Sequence, residues 1–414
     1  MNLIVNDKCT GCAACYNICP VTAISIDTDS MGFFRAKRDI DICINCGKCN
    51  EVCNSRETLP FIKHLNSFVY AAWSKNTDAC KSSNSGAMFY EFATQVIKNG
   101  GVVFGAAFDK NLNLQHTYAE TLSDVNKLMH SKFVQSYIGD ALIQVKKFLD
   151  EDRLVLFVGA PCQIKGLSAY LQHDYENLIT AQFPCFGLPS QKFFKDYLCY
   201  FTNNDIENIS SVLFEVQMDQ DINKRFFVCK MKDDSLISER AVTNKYIKAW
   251  NKKLCIDNQC FECKDNLLPF SADIIWGNYW HIGEIESFPV NKIEYENGIS
   301  MLILNTDKAL TLFEQVKPNI NYYKRTLKEA ITYHYQFQAT LATHICTKKQ
   351  YKSSERLEFM SDYQRLTFVE LMNKYFPNKE EMLISVRLAS LLSSKITARI
   401  WRLIYYLQMV QNKL

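Results

Sequence analysis

The chain has 414 residues, 48% of them hydrophobic and 22% charged, with a formal net charge of +3 at pH 7. That length makes two or three domains the expectation rather than one core. The near-balanced charge, with no basic arm or recognition motif, gives no reason for a nucleic-acid partner, and no run of about 18 uncharged apolar residues marks a membrane-spanning helix.

The N-terminus, MNLIVNDKCTGC, has no apolar stretch leading to a small-residue cleavage site, so a cytoplasmic chain is expected. Residues 1–60 hold eight of the 17 cysteines in two runs, Cys9, Cys12, Cys15, Cys19 and Cys43, Cys46, Cys49, Cys53. Each reads C-x-x-C-x-x-C-x-x-x-C, and a shift of 34 residues maps one onto the other. This is the bacterial-ferredoxin spacing for two 4Fe-4S clusters, in which the fourth cysteine of each run crosses to the other cluster. The expected ligand sets are therefore Cys9, Cys12, Cys15 with Cys53, and Cys43, Cys46, Cys49 with Cys19. Zinc knuckles would use separated C-x-x-C pairs instead. Each run should be a tight loop entering a short helix, with strands over Ala23–Ile26 and Phe33–Ala36 and amides beside Gly11 and Gly47 free to face sulfur. Asn54 stands where a proline usually follows the last cysteine.

Residues 66–205 alternate apolar strands and amphipathic helices. The pattern predicts strands at Phe68–Trp73, Val102–Phe108, Leu114–Ala119, Leu154–Val158 and Leu178–Phe183. It predicts helices at Met88–Lys98, Ala141–Leu149, Gln163–Leu171 and from Ser190, with KSSNSG (81–86) as a polar loop. Strand–helix–strand order implies right-handed parallel crossovers. Cys162 and Cys185 then fall beyond the carboxyl ends of neighbouring strands, the edge where open α/β sheets bind ligands. Cys162 also opens a helix, where the dipole favours thiolate. Both are ligand or active-site candidates, set against simple packing thiols.

Residues 206–325 begin with a hairpin, Val212–Met218 and Arg225–Met231, joined by Asp219–Lys224, with Cys229 in its core. A helix over Lys245–Leu254 leads to Cys255 and to Cys260-Phe-Glu-Cys263, a C-x-x-C half-site that needs partners from elsewhere. Strands at Ala272–Trp276 and Ile299–Leu304 and a helix at Asp307–Val316 follow. Cys80, Cys199 and Cys346 read as buried thiols, and His281 as a structural histidine or a proton donor. Residues 326–414 read as a helical C-terminal extension. In Met382–Leu407, Lys395, Arg399 and Arg402 share one face, with Leu392, Ile396, Ile400, Leu403 and Leu407 on another. Such a helix packs on its own protein or makes peripheral contact with an anionic membrane.

The motifs taken together resemble the coenzyme F420 hydrogenase/dehydrogenase beta-subunit family, in its form with an N-terminal two-cluster ferredoxin unit. The resemblance spans roughly residues 5–330. It rests on the two cysteine runs, then KSSNSG, GGVVFGAAF (100–108), SKFVQS (131–136), GAPCQIKGL (159–167), PCFGLPS (184–190), Cys260/Cys263 and ADIIWGNYW (272–280). It implies a multidomain α+β and α/β protein: a bacterial-ferredoxin-like domain, a central α/β flavin domain with a mixed sheet, and the helical extension. It implies FAD, placed near Ser82, Ser83, Ser85 and Gly86 and near Ser131, Lys132 and Gln135. Lys132 would stabilise reduced, anionic flavin by charge; without the resemblance it reads as a solvated surface lysine. A third 4Fe-4S cluster would use Cys260, Cys263, Cys162 and Cys185, with Cys255 competing for one place. Two positions depart from the family pattern: Asn278 stands for an Asp that would handle protons, and Ser85-Gly86 for a glycine pair.

The expected activity is that of an iron–sulfur flavoprotein oxidoreductase, passing electrons from ferredoxin or another redox partner to FAD and then to a small organic acceptor. Lys132 and Asn278 are its catalytic candidates. The rival is an electron-transfer subunit that docks on a separate catalytic partner and has no substrate of its own. Either form allows a homo-oligomer.

Overall fold

The computed structural model describes residues 2–4, 8–53, 67–218, 225–263, 265, 270–291, 298–332 and 353–377. The expectations for Asn54, the Asp219–Lys224 loop, Cys346 and the Met382–Leu407 helix lie outside them. By Cα proximity the chain divides into Met1–Phe368 and Val369–Leu414. Of the second unit, residues 369–377 are described, and they complete the helix Phe368–Tyr375.

The N-terminal part of the first unit carries a three-stranded antiparallel sheet in the order β1-β3-β2, with β1 at Asn2–Ile4, β2 at Ile24–Thr28 and β3 at Phe34–Asp39. Two short helices, α1 (Ala14–Ile18) and α2 (Lys48–Glu51), follow the middle of each cysteine run. Ala13 and Gly47 precede them, both left-handed at φ 59° and 80°. The 34-residue shift that pairs the cysteines pairs these two residues as well, so the internal repeat extends to the backbone.

The next strands are β4 (Phe68–Ser74), β5 (Val102–Phe108), β6 (Leu114–Ala119), β7 (Val155–Gly159) and β8 (Leu178–Gln182). After β9 (Ile209–Val216), β10 (Phe226–Met231) and β11 (Leu236–Arg240) come β12 (Ile274–Asn278), β13 (Ser300–Leu304) and β14 (Ile320–Arg325). Eight strands form one mixed sheet, β14-β4-β13-β12-β8-β7-β5-β6. Neighbours β12, β8, β7 and β5 are parallel, and the flanking pairs are antiparallel. The other three make an antiparallel meander, β11-β10-β9, where the sequence pattern predicts only a hairpin. The extra strand, LISER, is half exposed and polar, so its hydrophobic alternation is faint.

Helices α3 (Thr77–Lys81), α4 (Met88–Lys98), α5 (Leu122–Leu128), α6 (Ala141–Asp150) and α7 (Pro161–Leu171) join the strands of the first half. Then come α8 (Gln191–Phe201), α9 (Lys245–Asn251), α10 (Asp307–Val316) and α11 (Leu327–Thr332). α4 forms because Met88, Phe92 and Val96 recur at helical spacing and bury together. They share one core with Leu312 and Phe313 of α10, on one face of the sheet. The opposite face holds two separate cores. One joins Phe104, Phe157 and Leu178 to α6, α7 and the N-terminal unit. The other joins Ala71, Ile275 and Met301 to α3 and α11. Burying each large side chain contributes roughly 1.5–3 kcal/mol. The seam between those two cores runs between the parallel neighbours β8 and β12.

Candidate functional site

The N-terminal thiols fall into two groups. Burial pushes the Cys12 thiol up to about 12, with Cys9 and Cys53 as thiol neighbours that add to the rise. Burial also raises Cys15, and Cys12, Cys9, Cys53 and, least of the four, Cys49 raise it further. Cys49 is raised by burial and neighbours Cys43 and Cys46. Between Cys19, Cys43, Cys46 and Cys49 lies a cavity of about 170 Å³. Backbone amides donate to several sulfurs: Ala36 N to Cys9 Sγ (3.4 Å), Ala23 N to Cys19 Sγ (3.2 Å) and Asn45 N to Cys43 Sγ (3.4 Å). Cys12 and Cys15 are buried, whereas Cys46 is exposed.

The third group forms where β7 and β8 end. Cys162 is the second residue of α7, and Cys185 lies three residues past β8. Cys260 sits in a 3-10 turn, Asn258–Phe261, capped by Asp257, whose carboxylate accepts from Gln259 N at 3.1 Å. Burial raises the Cys162 thiol, and Cys263, Cys185 and Cys260 raise it further. Cys185 accepts from Gly187 N at 3.4 Å, and a Cβ built on Gly187 would lie 3.2 Å from the Cys260 Cβ. Lys253, buried over the Phe186 ring at 4.4 Å, is the nearby cation. Burial pushes its ammonium down to about 8, against the pull of Cys260 and Cys185. Cys255 stands apart. It is 4% exposed, and its charged or phenolic neighbours are Arg356, Tyr246 and Tyr363.

The first and third groups abut. A Cβ on Gly166, one turn along α7 from Cys162, would lie 2.7 Å from the Cys12 Cβ and 3.1 Å from its sulfur. Arg35 of β3 donates to the Cys9 carbonyl at 2.7 Å and forks onto both oxygens of Asp257 at 2.7 and 2.9 Å. One guanidinium thus ties the loop of Cys9 to the turn of Cys260.

A cavity of about 480 Å³ lies at the carboxyl edge of the parallel strands, where ligands bind in open α/β sheets. Ser83, Ser85, Ser131, Lys132 and Asn278 line it, as do Trp250, Trp276 and Trp280. Ser82, Gly86 and Gln135 do not. Ser82 ends α3. At Gly86 a Cβ would collide with the Ala72 carbonyl, so glycine is needed there to let this loop touch β4. The Gln135 side chain instead accepts from Phe34 N (3.1 Å) and donates to Thr10 O (3.2 Å), so it fastens the N-terminal unit. Lys132 is half-buried rather than solvated. It donates to the carbonyls of Leu128, Met129 and His130 at 3.2, 2.5 and 3.3 Å, and burial pushes its ammonium down to about 7.

On the same wall, which His116, Ser136 and Gln163 also line, burial pushes His116 down to about 4, so its imidazole is neutral. Nε2 lies 3.1 Å from Val158 O and must carry the proton, since a carbonyl only accepts. Ser136 then donates to Nδ1 (2.9 Å) and accepts from Gln163 Nε2 (2.9 Å). His281, outside this network, is exposed and pairs with Glu284 at 2.7 Å. Sequence reasoning missed Arg35, Asp257, His130 and Gln182. Only Gln182 left a signal, as an amide ending an apolar strand two residues before Pro184-Cys185.

The donor sets suit iron–sulfur clusters, being soft thiolates in groups of four. Among the described residues no three His, Cys, Asp or Glu side chains close on a single ion. The thiolates of a cubane bind four separate irons, so they need not converge on one point. The larger cavity suits a flavin. Its volume lies within the roughly 300–1,000 Å³ of cofactor pockets, aromatic rings and cations line it, and His130 Nδ1 is buried in its wall without a partner among the described residues.

Comparison with known proteins bears on both halves. Residues 152–329 match the family model for the C terminus of the coenzyme F420 hydrogenase/dehydrogenase beta subunit, and residues 8–56 match a 4Fe-4S dicluster domain. No curated protein matches the chain. A chain in a xenon-derivatized structure of the F420-reducing NiFe hydrogenase complex from Methanosarcina barkeri is similar over 72% of this chain and 92% of its own, at 16% identity and a TM-score of 0.45. A likeness that slight carries no argument.

Proposed function

We propose, from the match of residues 152–329 to the C terminus of the coenzyme F420 hydrogenase/dehydrogenase beta subunit and of residues 8–56 to a 4Fe-4S dicluster domain, that the chain is an iron–sulfur flavoprotein oxidoreductase with its own organic acceptor. The observation that carries the proposal is a shared pair of loops. The segments after β7 and β8 bear Cys162 and Cys185, and their neighbours Gly159, Gln163, Pro184 and Phe186 line the 480 Å³ cavity. Metal site and ligand cavity are therefore built from the same backbone.

In this reading Cys9, Cys12, Cys15 and Cys53 hold one cluster, and Cys19, Cys43, Cys46 and Cys49 a second. Cys162, Cys185, Cys260 and Cys263 hold a third, and FAD fills the cavity. Bound there, the clusters supply one-electron exchange at low potential, and the flavin exchanges either one or two electrons. Exposed Cys46 makes the second group the natural contact for a donor protein. Arg35 fixes the first group against the third. Lys132 supplies a cation at the cavity wall, held by three carbonyls. Asn278 presents an amide where a carboxylate would carry charge, so it orients a ligand and does not shuttle its proton. Neutral His116, held by Ser136 and Val158, adds no charge of its own to the cavity wall it lines.

The test is the double variant Cys260→Ser/Cys263→Ser, purified without oxygen. It should lose about four irons per chain, one cubane's worth, and retain both N-terminal signals in the EPR spectrum. An iron content equal to that of the parent protein would remove the third site and with it the link between the clusters and the cavity.

A further inference from the structure

One buried polar side chain has no role in the account so far. Gln182, the last residue of β8, is 0% exposed, and neither its amide nitrogen nor its oxygen has a hydrogen-bond partner among the described residues. Leaving such a group unmatched in the interior forfeits its hydration with nothing in return, so its place points to a partner that is not protein. Strand alternation says where it faces. Ile179 and Ala181 pack into the core beneath α4 and α10. Leu178 packs on the opposite side, with Phe157 and the helix α7. Gln182 shares the face of Leu178. Across the parallel ladder it pairs with Gly159, which has no side chain to cover it and which leads directly into Ala160-Pro161-Cys162. On its other side it pairs with Ile275, which belongs to the second core of that face. The carboxamide thus sits in the seam between two apolar cores, beside the first turn of α7 and three residues before Cys185. The cysteines of the third group meet at this same edge.

We propose that the Gln182 carboxamide donates through Nε2 to a sulfur of the cluster held by Cys162, Cys185, Cys260 and Cys263, and so raises that cluster's reduction potential. The inference rests on the third-cluster reading above. Hydrogen bonds to sulfur are one of the levers that set cluster potentials. A donor stabilises the reduced form, which carries one more negative charge, and its loss moves the potential in the negative direction. Cluster sulfur accepts but does not donate, so the nitrogen is the end that faces it. Gln182 is a tuning residue and not a ligand.

The experiment is an EPR-monitored redox titration of the full chain, reconstituted with iron and sulfide, for the parent protein and for Gln182→Leu. Leu fills a similar volume and lacks the donor. The expected result is an unchanged iron content, with one of three midpoint potentials shifted to a more negative value and the other two unmoved. Three unmoved midpoints at full iron content would overturn the proposal. A second measurement needs no variant. In protein carrying side-chain ¹⁵N-labelled glutamine, pulsed EPR of the reduced third cluster should show a ¹⁵N coupling and an exchangeable proton lost in D₂O. Absence of both overturns the proposal. If the parent protein holds iron for two clusters only, the third-cluster reading is what has failed, and the Gln182 proposal falls with it.

Discussion

Arg35 and Asp257 show what single residues contribute. Their side chains are 12% and 5% exposed, and the fork between them joins segments far apart in sequence. Removing one partner of such a pair leaves a buried charge and costs about 3–5 kcal/mol. Arg35→Met should lower the midpoint of anaerobic denaturant unfolding accordingly. Arg35→Lys should recover only part of the loss, because an ammonium cannot fork onto a carboxylate; full recovery would show that charge alone matters. Lys132 gives a pH test. Its folded-state pKa is lowered to about 7, against about 10.4 for a solvated lysine. Between those values the unfolded chain binds the extra proton, so Lys132 destabilises the fold fully below pH 7 and progressively less as pH rises toward 10. The melting temperature of flavin-free parent protein, relative to Lys132→Met, should therefore rise from pH 7 to pH 9. A difference independent of pH would mean that the carbonyls hold the proton as firmly as water does. The spacing of the cysteines was legible in the chain because ligand geometry acts locally. Arg35, Asp257 and the Gln135 contact were not, since each depends on segments that meet only after folding.

Among the elements, α7 does the most to connect the sites. It begins at Pro161, puts Cys162 in its first turn, and touches Cys12 through Gly166. Gly166→Val would push a branched side chain into the Cys12 backbone and sulfur. The expected outcome is faster removal of iron by a chelator from the N-terminal clusters, with Ser168→Ala on the same helix as a control that leaves the rate unchanged. Equal rates for Gly166→Val and the parent would deny the contact. The elements that the sequence pattern predicted to the residue, α4, β5, β6 and α10, are those with strong periodicity and clear stops, such as Asn99-Gly100 after α4. Among those that escaped it, α5, β11 and β14 are short or carry polar edges. Among the described residues β14 pairs only with β4, and it exposes Tyr322 and Tyr323. Its tyrosines and lysine fit a sheet edge as well as a helix, and only the ladder decides.

Across the whole first unit, the mixed sheet sorts the chemistry by face and by edge. One face is a continuous apolar core beneath α4 and α10. The other is split, and its two cores are joined to different partners: the N-terminal unit on one side, α3 and α11 on the other. The carboxyl edge of β5, β7, β8 and β12 carries both the third group of cysteines and the large cavity. Cys12 of the first group lies against α7, Cys162 stands in the first turn of that helix, and the loops of Cys162 and Cys185 also line the cavity. The strand–helix alternation of residues 66–205 was legible in the chain, and it builds much of the large mixed sheet. The two N-terminal ligand sets were expected from spacing and the third from the family resemblance, whereas the loops shared by the third group and the cavity needed the folded chain. The measurement that tests the central claim most directly is the iron, acid-labile sulfide and flavin content of anaerobically purified protein, read with its visible and EPR spectra. The account predicts about twelve irons, a matching amount of sulfide and one FAD per chain, since each cubane holds about four irons; about eight irons with no flavin would contradict it.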